Sequence, residues 1–334
     1  MRYLLFITVA FLLSCSNNDA PDVSGIKADL AVKRFEQSLF RADTNSILQV
    51  MPAMEKEYPG FARNFFSEIL NMDPGWSAEE AALYLNGFIS AYRSVHDSAI
   101  NVFKDFTPYE KDIEEAVKYV KHYFPDYKTP QKIITYVGPL DGYGDILDRD
   151  AFIIGLHHHL GENFSLYKTD MVAAVYPEYI TRRFEPGYIV VNCMKNVVND
   201  MYPDNNSDKS LVIQMVESGK RLFLLQKFLP RVKEHMLIGY TEKQLKESYA
   251  HEAVIWDLFA RNNYLQSTDI NLVKNYIGES PRTLELGESS PGNIGSFAGW
   301  QIVKKYMNNN KEMSLADLMI KDPSEIFAAA KYKP

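Results

Sequence analysis

The segment IIGLHHHLG (Ile153 to Gly161) places His157, His158 and His159 together, three of only seven histidines in the chain. A catalytic zinc needs two ligands at fixed short spacing and a third from elsewhere. If the apolar run before them is a strand, His157 and His159 project from one face and could share an ion. No third ligand is evident: His96 and His122 lie on helical stretches far upstream and His235 far downstream. Solvated or hydrogen-bonded imidazoles are the simpler expectation.

A second set is AHEAVIW (Ala250 to Trp256), which opens like the HExxH zinc signature. That signature needs a second imidazole one helical turn on, and Ile255 stands there. On a helix whose buried stripe is Leu245, Tyr249, Trp256 and Phe259, Glu252 falls on the apolar side and His251 off it. A carboxylate so placed must be paired. It is a structural ion pair or hydrogen-bond acceptor, or else a general acid/base. SPGNIGSFAGWQIVKKY carries Gly292, Gly295 and Gly299 on one helical side, after Ser290 and Pro291 at N-cap and first-turn positions. Close helix packing explains such a stripe; a helix start can also bind an anion. The chain has neither a Gly-rich phosphate loop nor a Gly-x-Ser-x-Gly elbow.

The elements that must position these groups are mostly helical. Ser77 and Glu80 form a capping box ahead of the stripe Leu85, Phe88, Tyr92, Val95. Thr107, Pro108 and Glu110 begin another helix, which Pro125 ends. KIITYVG (132–138) and AFIIGL (151–156) are β-branched, aromatic and bounded by breakers, and predict strands of a small sheet. PLDGYGDILDRD between them reads as a loop. Helices return at Pro177 to Phe184, Tyr188 to Met201, Ser210 to Leu229, Thr241 to Asn262 and Asn293 to Met307. The expected fold is α+β: one mostly helical domain with a small β-sheet.

The N-terminus is of another kind. Met1-Arg2 precedes an almost wholly apolar Leu4 to Leu13, too short to span a bilayer, and Leu12-Leu13-Ser14-Cys15 has the form of a bacterial lipobox. Residues 1–14 are then a lipoprotein signal peptide and Cys15 the acylated (diacylglycerol, palmitate) first residue. SNNDAPDVSGI makes 15–26 a polar tether, and 27–334 is the globular domain. Several acyl chains anchor firmly where one does not. With Cys15 lipidated, Cys193 has no intrachain partner for a disulfide. A net charge of −7 argues against a nucleic-acid surface, which needs a basic face. The 21 tyrosines could serve sugar binding but form no clustered platform.

The lipobox, YPEYITRRFEPGYIV, LPRVKEHMLIGYTEKQL, HEAVIWDLF, GESSPGNIGSFAGWQIVKKYM and the terminal AAAKYKP together resemble the gliding-motility lipoprotein GldB family of Bacteroidetes. The resemblance implies an envelope lipoprotein serving gliding and the associated secretion machinery. That family in turn distantly resembles zinc proteases with a zincin-like layout. There the HExxH helix corresponds to YIVVNCMKNVVNDMY, so Asn192 and Asn196 replace the two histidines and Cys193 the catalytic glutamate. Ser218-Gly219, beside Glu217, replaces a Glu-Gly pair on a later helix. Amides bind zinc poorly beside imidazole, and no carboxylate remains to activate water. The combined expectation is a non-enzyme with no cofactor beyond the lipid on Cys15, held in the cell envelope, at the outer membrane on its periplasmic side in preference to its exterior, with the inner membrane as the alternative. Its partners would be the membrane and other envelope proteins, with no nucleic acid. The alternative is a metal-dependent hydrolase or peptidase using His157, His159 or Glu252.

Overall fold

The computed structural model describes residues 20–334. Cys15 and the signal segment lie outside the described residues. Four strands, β1 (Ala31–Arg34), β2 (Lys132–Tyr136), β3 (Ile146–Leu147) and β4 (Ala151–Gly155), form one sheet in the order β1-β2-β4-β3. β2 and β4 pair in parallel with Ile134 opposite Ile153, and β1 joins β2 in parallel. Parallel neighbours need a long crossover. Residues 35–131 supply one between β1 and β2, largely as helices. The segment between β2 and β4 is shorter and contains β3, which turns back antiparallel along β4 with Leu147 opposite Phe152.

The two strands expected from sequence are those whose residues are buried on both faces, as continuous apolar runs predict. β1 was not anticipated, and β3 lies within the expected loop. Both are edge strands; β3 has only two residues, which leaves little open edge for unwanted pairing.

The helices of eight residues or more are, in chain order, α1 (Val50–Glu57), α2 (Ala78–Ala91), α3 (Arg93–Val102), α4 (Thr107–Tyr123), α5 (Ile189–Met201), α6 (Leu211–Phe228), α7 (Glu242–Ala250), α8 (Glu252–Arg261), α9 (Ile294–Asn309) and α10 (Pro323–Ala330). The capping box forms: Ser77 N–H donates to the Glu80 carboxylate at 2.8 Å, and Glu80 N–H to Ser77 Oγ at 3.2 Å. The helix begun there kinks at Tyr92 and continues as α3. α4 starts at Thr107 itself, whose N–H donates to Asp105 Oδ1 at 2.9 Å; Asp105 satisfies the helix start in place of the expected Thr107 cap.

Around β2, Phe35 meets Phe61 and Phe65 with ring centroids 4.9 and 4.7 Å apart, and both reach Tyr136. α5 covers β3, and α6 and α9 cross in the longest helix contact. Part of the stretch expected to be a tether, 15–26, is packed. Val23 is only 7% exposed, and Ile26 N–H closes a turn onto its carbonyl at 3.0 Å, so the packed chain has begun by residue 23.

Candidate functional site

β4 ends at Gly155, and Leu156–His158 form a 3-10 turn, so the strand geometry that would aim His157 and His159 from one face does not arise. All three imidazoles are buried. His157 accepts the Gly138 N–H at Nδ1 (3.1 Å) and donates from Nε2 to the Tyr143 carbonyl (3.0 Å). It is thereby fixed as a neutral ring, and burial drives its pKa well below the ordinary value. His158 donates to the Leu140 carbonyl at 3.0 Å and stacks on Phe184, with centroids 4.3 Å apart and planes 12° apart. Burial pulls its pKa down to about 4.

His159 differs. Its Nδ1 faces the Glu185 carbonyl at 3.1 Å and its Nε2 the Asp145 carboxylate at 2.8 Å. Both partners are acceptors, so both ring nitrogens carry protons and the ring is an imidazolium. Burial opposes that charge, but Asp145 and the Glu185 carbonyl outweigh it and raise the pKa. His157 and His159 thus turn their nitrogens to different partners. Among the described residues, no group of three or more His, Cys, Asp or Glu could hold a metal ion.

Asp145 is the hub, and sequence reasoning missed it. It lies between the turn at Leu140–Gly142 and strand β3, with no local spacing to distinguish it from the other acids of that loop. Its carboxylate, 3% exposed, also accepts Gly155 N–H at 3.1 Å and the Asn192 amide at 2.8 Å. Asn196 donates to the Asp145 carbonyl at 3.0 Å. The i, i+4 spacing of Asn192 and Asn196 on α5 puts both amides on the face toward this loop. Cys193, on the same helix, is buried, and burial followed by the Asp145 charge pushes its thiol well above the usual range. Ser218 lies elsewhere: its hydroxyl donates to Ser296 Oγ at 2.6 Å across the α6–α9 crossing, and Ser296 donates on to Asn293. The four aligned positions therefore do not converge on one site.

Glu252 also has a structural partner. The expected Thr241–Asn262 helix breaks at His251, so Glu252 is the first residue of α8. Its carboxylate accepts a short hydrogen bond from Tyr332, whose ring stands edge-on to Trp256 at 5.0 Å. It thus fastens the C-terminal tail. The glycine stripe is packing: a Cβ on Gly299 would sit 1.7 Å from the Met215 carbonyl, and one on Gly295 2.9 Å from that of Tyr276. α9 starts after Asn293, which is in the left-handed region at φ 56°, and not at Ser290-Pro291. Ser290 instead closes the preceding loop by donating to Thr283 O at 2.7 Å.

A cavity of about 180 Å³ between α5 and α6 was equally invisible in sequence. Lys195 and Arg221 line it beside Leu222, Leu237 and Glu279. Burial, helped by Arg183 and opposed by Glu279, lowers the Lys195 pKa to about 8. Arg221 Nε is buried without an acceptor. Pockets for drug-sized ligands run roughly 300–1,000 Å³, so this one is small.

No curated protein and no solved structure matches the chain, and the protease resemblance therefore gains no support from either. Among the described residues no helix is long and apolar enough to cross a membrane. A family model described as gliding motility protein GldB matches residues 16–334, nearly the whole chain. The chain belongs to the gliding motility protein GldB family.

Proposed function

We propose that the chain is a lipid-anchored envelope protein that serves gliding motility, and the secretion machinery associated with it, by binding other envelope components and not by catalysis. The observation that carries this reading is how the polar constellations are used. The nitrogens of His157 and His159 are all engaged by backbone groups or Asp145, and Glu252 by Tyr332. A general base or metal ligand needs a lone pair free to meet substrate or ion. Here the fold engages every ring nitrogen of His157 and His159 and one oxygen of Glu252. Cys15 carries the anchor, and Ser16 after it, in place of an aspartate, favours delivery to the outer membrane on its periplasmic side.

Two measurements test the proposal. Cys15→Ala is expected to move the protein from the membrane to the soluble fraction of fractionated cells; retention through a detergent-sensitive anchor refutes the lipoprotein assignment. Metal analysis of the purified wild-type protein is expected to find far less than stoichiometric zinc. Near-stoichiometric zinc, together with a hydrolytic activity abolished by a chelator, overturns the non-catalytic assignment.

A further inference from the structure

A groove of about 950 Å³ opens where the described chain begins, since Ala20 forms part of its wall. Its cations are Lys227, Lys304 and Lys311, with His122, Tyr123 and Met313 also on its wall; none of its described lining residues is Asp or Glu. Lys304 is paired with Glu234. Lys227, whose ammonium lies 5.2 Å from the centre of the Phe223 ring, and the exposed Lys311 have no carboxylate partner among the described residues. A neighbouring groove that also includes Ala20 balances Lys111, Lys118 and Arg231 against Asp22, Glu114 and Glu115. The uncompensated positive charge therefore belongs to the first groove.

The reach of the chain limits where this groove can be. Four residues, and so five Cα–Cα steps, separate Cys15 from Ala20. Fully extended, they span at most about 18 Å. With Cys15 acylated in a bilayer, the groove wall at Ala20 stays within about that distance of the lipid surface. A chain of net charge −7 is repelled by an anionic membrane as a whole. A cationic groove at the exit of the leash offsets that repulsion where it is felt most. We infer that this groove seats the phosphate headgroup of an anionic phospholipid, with Lys227 and Lys311 as its charge partners, and so sets how the domain stands on the membrane. The inference rests on the anchoring assigned to Cys15.

The test separates the two. The full chain carrying Cys15→Ser, which cannot be acylated, is titrated with vesicles of phosphatidylcholine alone and with vesicles containing phosphatidylglycerol. The uncleaved leader is common to every sample. Each lysine near an anionic surface contributes about 1 kcal/mol, or roughly fivefold in affinity. The expected result is a salt-sensitive preference for the anionic vesicles that Lys227→Gln with Lys311→Gln reduces by about 25-fold. Lys111→Gln with Lys118→Gln, in the balanced groove, is the control and is expected to leave most of the preference intact. Equal binding to both vesicle types, or a preference that survives in the Lys227/Lys311 variant, overturns the headgroup site. Neither outcome depends on whether Cys15 is acylated in cells, which the fractionation experiment decides separately.

Discussion

Replacing Asp145 by alanine removes the counter-charge of a buried imidazolium. His159 is 1% exposed on its side chain and Asp145 3%, so solvent cannot take over the lost interaction. Breaking a buried pair by deleting one partner costs about 3–5 kcal/mol, because the remaining charge is stranded. The amide of Asn192 and the N–H of Gly155 lose their acceptor as well. Those penalties overlap with the first, and about 4 kcal/mol is the expected total near pH 6. That is a large share of the 5–15 kcal/mol by which a typical domain is stable.

The pH dependence is the sharper part of this prediction. The His159 pKa is raised by folding, so its stabilisation is complete below the ordinary value of 6.5 and is lost as pH climbs through the folded value. In Asp145→Ala burial acts without its counter-charge, the His159 pKa falls, and stability improves as pH rises. The difference between wild type and variant is therefore expected to shrink, to roughly 1–2 kcal/mol at pH 9, where hydrogen bonds alone remain. Urea unfolding of the full chain at pH 6 and 9, with His159→Ala and the double variant completing a cycle, measures it. A coupling energy below about 0.5 kcal/mol at pH 6, or a difference that grows with pH, refutes the imidazolium–carboxylate assignment.

Gly299→Ala forces a methyl onto the Met215 carbonyl and separates α6 from α9. It is expected to cost about 3 kcal/mol, the upper part of the overpacking range, whereas the same change at Gly87, with open space around it, falls within about 1 kcal/mol of zero in a parallel thermal melt. Lys195→Met removes a cation whose pKa folding lowers to about 8. Below that pH the wild type bears the full penalty, which fades as pH rises toward 10.5, so the variant is expected to gain about 2 kcal/mol in urea unfolding at pH 7 and nothing above pH 10.5. Tyr332→Phe deletes the donor to Glu252 and is expected to lose about 1–2 kcal/mol and to speed carboxypeptidase trimming of the tail.

Local pattern determined much of this molecule. A capping box is a contact between residues three apart, and Ser77–Glu80 was legible for that reason. β2 and β4 were legible because strands buried on both faces read as nearly continuous apolar runs. The family resemblance, which the family match bears out, rested on runs of contiguous residues. β1 escaped because four half-exposed residues ending in Lys33 and Arg34 carry no alternation that separates strand from loop. β3 escaped because two residues have no period at all.

What the tertiary structure alone decided is the fate of the polar groups. Three adjacent histidines look identical in sequence. In the fold one is a neutral acceptor to Gly138, one stacks on Phe184, and one is an imidazolium against Asp145. Their partners lie up to 26 residues away along the chain. Glu252 is joined to Tyr332 across 80 residues. The protonation and availability of a side chain depend on the acceptors and burial that distant segments bring to it. Residue type and spacing nominate a group for chemistry; the packed neighbours determine whether its lone pair or proton is free.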